Sequence, residues 1–273
     1  MKSAIQMQLN LMFKRKEFYI ALMISVLISA FCFFSELILC YNDYFFFLNA
    51  SSDFFYLRGI KGTAGIVMAL YPFLIVLPFA DSFITDYKAK ITPVIQTRIT
   101  FKNYYFSKMI CVFLGAFIVL LIPQLLNLLA NVIAYPLTSV TPFTGDAFGQ
   151  SASAITHMQF PYLLHNYPNL YNLLFTFILS ISGGIMAVGI YCISFFIKKS
   201  RLFIICIFFI ISNILTFLGT YTKNSFNINI FIFPAVPWFP KPIIFPLCFF
   251  AVFIVGIIIM SSIALKRYKT DLI

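Results

Sequence analysis

Charge is scarce in this chain. Only 10% of its 273 residues are Asp, Glu, Lys or Arg, against roughly 25% in an average soluble domain. Tryptophan occurs once and histidine twice. No GxxxxGK[ST] phosphate loop, no HExxH helix, no GxSxG elbow and no paired-carboxylate site is present. Each of those patterns places reactive groups for a particular chemistry, so catalysis is not expected of this chain. The six cysteines, Cys32, Cys40, Cys111, Cys192, Cys206 and Cys248, lie in or beside apolar runs and form no CxxC pair. They read as small apolar core residues, not as zinc ligands or a redox couple. His157 and His165, with Asp146 nearby in sequence, read as solvated loop side chains. No cofactor and no metal is expected on this chain.

What the chain has instead is apolar bulk. Hydrophobic residues make up 62% of it, and the mean hydropathy is +0.97. A soluble domain cannot bury that much apolar surface, and a disordered chain has the opposite composition. The apolar runs are long, whereas a membrane barrel would alternate in segments of about ten residues. The expected class is therefore an all-α integral membrane protein.

A bilayer core takes about 20 apolar residues per helix. Six segments meet that length, at about 18–40, 63–84, 105–133, 171–197, 202–220 and 243–265. The run after Lys16 is too long for the core of a cleaved signal peptide, so it is expected to stay as a membrane helix. The third segment is long, and Pro123 either kinks it or marks a re-entry.

The basic residues give the orientation. Lys2, Lys14, Arg15 and Lys16 precede the first span, and Lys88, Lys90, Arg98, Lys102 and Lys108 follow the second. Lys198, Lys199 and Arg201 follow the fourth, and Lys266, Arg267 and Lys269 follow the sixth. Arg58, Lys61, Lys223 and Lys241 alone fall on the other side. Loops rich in Lys and Arg stay in the cytoplasm, so both termini are expected there. The formal net charge of +11 is explained by this bias and implies no nucleic acid.

Residues 1–16 have a different pattern. Ile5, Leu9, Met12 and Phe13 recur at helical spacing, with Lys2, Gln6, Asn10 and Lys14 opposite. This predicts an amphipathic helix in the interface, its basic face toward anionic headgroups. The remaining 17–273 form one six-helix membrane domain. Its outer loops are 134–170, with no Lys or Arg, and 221–242, with Pro234, Pro237, Trp238, Pro240 and Pro242.

Polar groups inside spans are candidates for function. Glu36 and Asp81 lie near span ends, close enough to reach water. Gln124, Asn127 and Asn131 follow i, i+3 and i+7 on one helical face. Amides in a bilayer need partners, so these three either clip helices together or line a polar pathway. Ser180, Gly183 and Gly184 are small residues that permit close approach of helices, and they suit a subunit seam.

The most specific stretch is the basic loop at 85–104. A helix leaves the membrane, breaks, and a second helix re-enters with Lys108. The loop is too long for a minimal turn. It reads equally as a docking element or as a solvated positive-inside loop.

Here the residues resemble a family. Asp86, Thr97-Arg98, Tyr104 and Lys108 stand where permease subunits of ABC-2 type ABC transporters carry an acidic residue, an Arg, a Tyr and a Lys. A glycine common soon after the acidic residue is absent, with Lys88 and Ala89 in that region. The family is similar in architecture as well: an N-terminal interfacial helix, six spans and cytoplasmic ends. The resemblance implies a pair of permease chains, as homodimer or heterodimer, with a separate ATPase subunit that holds ATP and Mg docked under each. It implies that Asp86, Lys88, Lys90 and Arg98 contact the ATPase, with Tyr104 anchoring the loop. It also implies export of a hydrophobic or amphipathic cargo across a bacterial cell membrane. Small members of this shape serve bacteriocin or lantibiotic export and immunity. A stand-alone secondary transporter or channel is the alternative. It would be marked by midplane charges or inverted repeats, and neither is found. A membrane-embedded enzyme or assembly scaffold stands third.

Overall fold

The computed structural model describes residues 1–40, 63–91, 95, 99–135, 160–197 and 244–270, with isolated positions between 203 and 214. Among these residues it is all-helical. The helices are α1 (Lys2–Lys14), α2 (Lys16–Cys40), α3 (Thr63–Val76), α4 (Ser82–Lys88), α5 (Phe101–Ala134), α6 (Pro161–Asn166), α7 (Pro168–Phe196) and α8 (Ile244–Thr270). Three stretches are long and apolar enough to cross a membrane: Lys16–Ser35 in α2, and the whole of α5 and α7. Within α8 the apolar stretch Phe250–Lys266 is shorter.

The expected second span, 63–84, is not one helix. Its helix stops at Val76, a turn covers 77–81, and α4 starts at Ser82. Pro78 explains the break, because it has no N–H to donate to the Leu74 carbonyl. The expected fifth span, 202–220, lies outside the described residues apart from a few helical positions. Outer loop 221–242 and most of 134–170 lie outside them too.

Pro123 produces no re-entry, and α5 runs through it for 34 residues. The reason sits on α2. Pro123 cannot donate to the Val119 carbonyl, and the Ser25 hydroxyl lies 2.9 Å from that oxygen, sharing its proton with Leu22 at 3.0 Å. One turn on, Ser29 donates to the Pro123 carbonyl at 2.9 Å. A neighbouring hydroxyl is how a membrane helix tolerates proline.

Helix α5 is the hub, packing on α1, α2, α3 and α7, while α8 packs on α7. Helices α5 and α7 run antiparallel, since Leu120 faces Gly183 and Tyr191 donates to the Tyr105 carbonyl at 3.4 Å. A Cβ on Gly183 would sit 2.2 Å from Leu120 Cδ1 and 3.1 Å from the Tyr71 oxygen. One on Gly184 would meet the Phe113 ring at 2.6 Å. Ser180, Gly183 and Gly184 are buried. The close approach these glycines allow is thus used within the chain, against α5 and α3, and not on a free face.

The N-terminal helix is present, but its buried stripe is Ala4, Gln8 and Met12. Of the expected apolar face, Met12 is buried, Ile5 and Leu9 are half-buried, and Phe13 is exposed. Tertiary contact turned the helix. Gly115 of α5 leaves a hollow that Met12 fills, its sulfur 3.0 Å from where a Cβ would stand. Lys2 and Lys14 remain exposed.

Candidate functional site

Four helix ends meet at the base of α5: the α1–α2 joint, the end of α3, α4 and the first two turns of α5. At about 1.5 Å per residue, α5 is about 51 Å long, well beyond a hydrocarbon core of about 30 Å. Its first turns therefore have length to spare outside the apolar layer.

The charges gathered there are paired. Lys108 is 1% exposed and donates to Asp86 Oδ2 at 2.5 Å and to the Ser82 carbonyl at 2.9 Å. The Tyr104 hydroxyl donates to the same Asp86 oxygen at 2.7 Å. Arg15, at the α1–α2 joint, donates to Asp81 Oδ1 at 2.9 Å, and Asp81 is 1% exposed. Thr85 closes the local turn, its hydroxyl 3.3 Å from the Asp81 carbonyl. Phe79 lies within cation–π reach of both cations, 4.8 Å from the Arg15 guanidinium and 5.9 Å from the Lys108 nitrogen. Two acids thus face two bases in a largely dry setting, where an unpaired charge would be very costly.

The structure brings three of the loop residues together: Asp86, Tyr104 and Lys108. Asp86 turns inward, onto Tyr104 and Lys108. Lys88 and Lys90 stand apart from the cluster and are exposed. Tyr87 and Ile91 join them there, 44% and 45% exposed. Arg98 lies outside the described residues. Lys90 takes the left-handed conformation, with φ 53°, at the position where a helix usually ends in glycine. The closing bonds run from Lys90 N–H to Tyr87 O and from Ile91 N–H to Asp86 O, both 3.1 Å. They form a Schellman cap. Beyond it, Ile95 N–H bonds Ile91 O and Ile99 N–H bonds Ile95 O.

Two members of the cluster escaped the sequence reading. Arg15 looks like one more flanking cation. Asp81 looks able to reach water, but it is buried against Arg15. The available signal was the pair of acids at 81 and 86, which need bases from elsewhere if the turn between them is buried.

Further along α5 lies the amide stripe. Asn127 donates to the Ser29 carbonyl at 3.2 Å, and Asn131 donates to Asn127 O at 2.9 Å and Oδ1 at 3.0 Å. Two of the three amides therefore clip helices and one another. Gln124, 1% exposed, has no hydrogen-bond partner at either amide atom. A second buried network ties three helices: the Tyr105 hydroxyl lies 3.3 Å from Cys192 Sγ and 3.2 Å from Ser261 Oγ. Among the described residues, no group of three or more His, Cys, Asp and Glu is placed to hold a metal ion.

No protein-family model, no curated protein and no solved structure matches this chain.

Proposed function

We propose that this chain is the membrane-spanning permease subunit of an ATP-driven exporter of the ABC-2 type. It crosses the cell membrane six times with both termini in the cytoplasm. It pairs with a second permease chain and with separate ATPase subunits that bind ATP and Mg. Its cargo is hydrophobic or amphipathic, a peptide of the bacteriocin kind being favoured.

One observation supports this reading above the others. Helix α4 and its cap offer an exposed face of Tyr87, Lys88, Lys90 and Ile91, while Asp86 on the opposite side is tied to Tyr104 and Lys108 of α5. A coupling element needs both features: a surface for the motor and a stiff link into a spanning helix. The motor then shifts the bundle by binding one arrangement more tightly than the other.

The test is a pull-down of the tagged chain from its native membrane in mild detergent, with mass spectrometry of what accompanies it. A stoichiometric nucleotide-binding subunit is expected. The double variant Lys88→Glu/Lys90→Glu leaves the buried cluster intact and should cut that recovery at least roughly tenfold, equivalent to about 1.4 kcal/mol. A chain that arrives alone, repeatedly, removes the docking role and leaves a stand-alone transporter or channel.

A further inference from the structure

The buried amides of α5 face a second polar series on α7. Asn172, Thr176 and Ser180 are each 1% exposed or less. The antiparallel run of the two helices, with Phe113 against Gly184 and Leu120 against Gly183, carries Gln124, Asn127 and Asn131 alongside the 172–180 stretch of α7. The helical faces agree. Gln124, Asn127 and Asn131 continue the stripe of Phe113 and Leu120. Ser180 and Thr176 continue the stripe of Gly184. Phe113 meets Gly184 and Leu120 meets Gly183.

The Thr176 and Ser180 hydroxyls bond within their own helix. Thr176 donates to Asn172 O and Ser180 to Thr176 O, both at 2.8 Å. Neither of these two bonds crosses the seam. Gln124 lies in this seam with both amide atoms unpartnered and shut from solvent. An unpaired amide in a dry membrane interior is costly, and leucine would fill the same place without that cost. The cost of the closed packing at this one residue is relieved when Gln124 is hydrated.

We propose that the α5–α7 seam is gated, and that when it parts its Gln124 half becomes a hydrated, uncharged polar site. Its lining is Gln124, Asn127, Asn131, Asn172, Thr176 and Ser180. With amides and hydroxyls but no charge, it takes water and neutral hydrogen-bonding groups, such as the amides of an amphipathic cargo. The assignment of cargo rests on the permease reading. The opening itself does not.

The experiment uses the full chain in membrane vesicles without any ATPase. Ser180→Cys, nearly isosteric, is treated with hydroxyethyl methanethiosulfonate, a small uncharged polar thiol reagent. Labelling at position 180 is read by peptide mass spectrometry, so the native cysteines stay in place. Leu126→Cys is the control, because Leu126 is exposed on the outer face of α5, where lipid would cover it. Rates are normalised to free cysteine. Ser180→Cys should react at least roughly tenfold faster than the control. Gln124→Leu should slow it at least roughly tenfold by depopulating the open state, and the trimethylammonium analogue should react more slowly than the neutral reagent. A rate no faster than the control, or one unmoved by Gln124→Leu, overturns the gate. Faster reaction with the cation overturns the neutral site. Labelling without a co-purified ATPase keeps the gate and removes the permease reading, and the converse result does the reverse.

Discussion

Lys108 has no water to fall back on. It is 1% exposed, and its ammonium is matched by Asp86, the Ser82 carbonyl and the Tyr104 ring, whose centroid is 4.9 Å away. Removing one partner of such a pair strands the other charge, at a typical cost of about 3–5 kcal/mol. Lys108→Met or Asp86→Asn alone should therefore lower the melting temperature in detergent sharply. The double variant should be less destabilised than the sum of the two, with a coupling of about 1–3 kcal/mol. Additive losses would mean that the pair is not coupled. At this scale Asp86 changes its expected part. It holds α4 onto α5, and the side chains offered outward are Tyr87, Lys88, Lys90 and Ile91.

Helices in this chain are shaped by what their neighbours supply. Helix α5 passes Pro123 because Ser25 of α2 offers a donor to the freed Val119 carbonyl. Ser25→Ala should cost about 1 kcal/mol in the wild-type background and clearly less beside Pro123→Ala, where the backbone N–H returns. Thermal denaturation of the four proteins in detergent checks this, and equal losses in both backgrounds would refute it. The glycines separate in the same way. Gly183→Ala puts a methyl 2.2 Å from Leu120, and overpacking of that kind costs about 1–3 kcal/mol. Gly256 has nothing within 4 Å of its Cβ position. Gly256→Ala should be neutral or stabilising by about 0.5–1 kcal/mol, the usual difference in helix propensity. The same melting assay distinguishes the two.

For the whole molecule, the property to test is orientation. Fifteen of the 19 Lys and Arg residues fall in segments expected on one side. The α1–α2 joint, the turn after α3 and the start of α5 meet in one cluster, so these three basic segments share one end of the helices. Reporter fusions at the N- and C-termini should both be active on the cytoplasmic face. A terminus found outside would leave an odd number of crossings and remove the proposed placement of α4 beside a cytoplasmic motor.

Composition and hydropathy were enough for the class of the protein, because a chain this apolar has few ways to keep its backbone bonded away from water. They also placed α2, α5 and α7 to within a few residues. Asp86 was expected to face a partner, whereas the fold ties it to Tyr104 and Lys108. Other features required the fold. Arg15 reaches Asp81 across 66 positions, and no local pattern announces such a pair. Gln8, on the buried stripe of α1, lay outside the expected apolar face, while Met12, which fills the hollow at Gly115, belonged to it. Pro78 lies where a helix ends while Pro123 does not, and at Pro123 the freed Val119 carbonyl finds a donor in Ser25 of another helix. Sequence periodicity records how a segment partitions between water and lipid. Which polar group finds a partner depends on the helix that packs beside it, and that is settled only when the bundle closes.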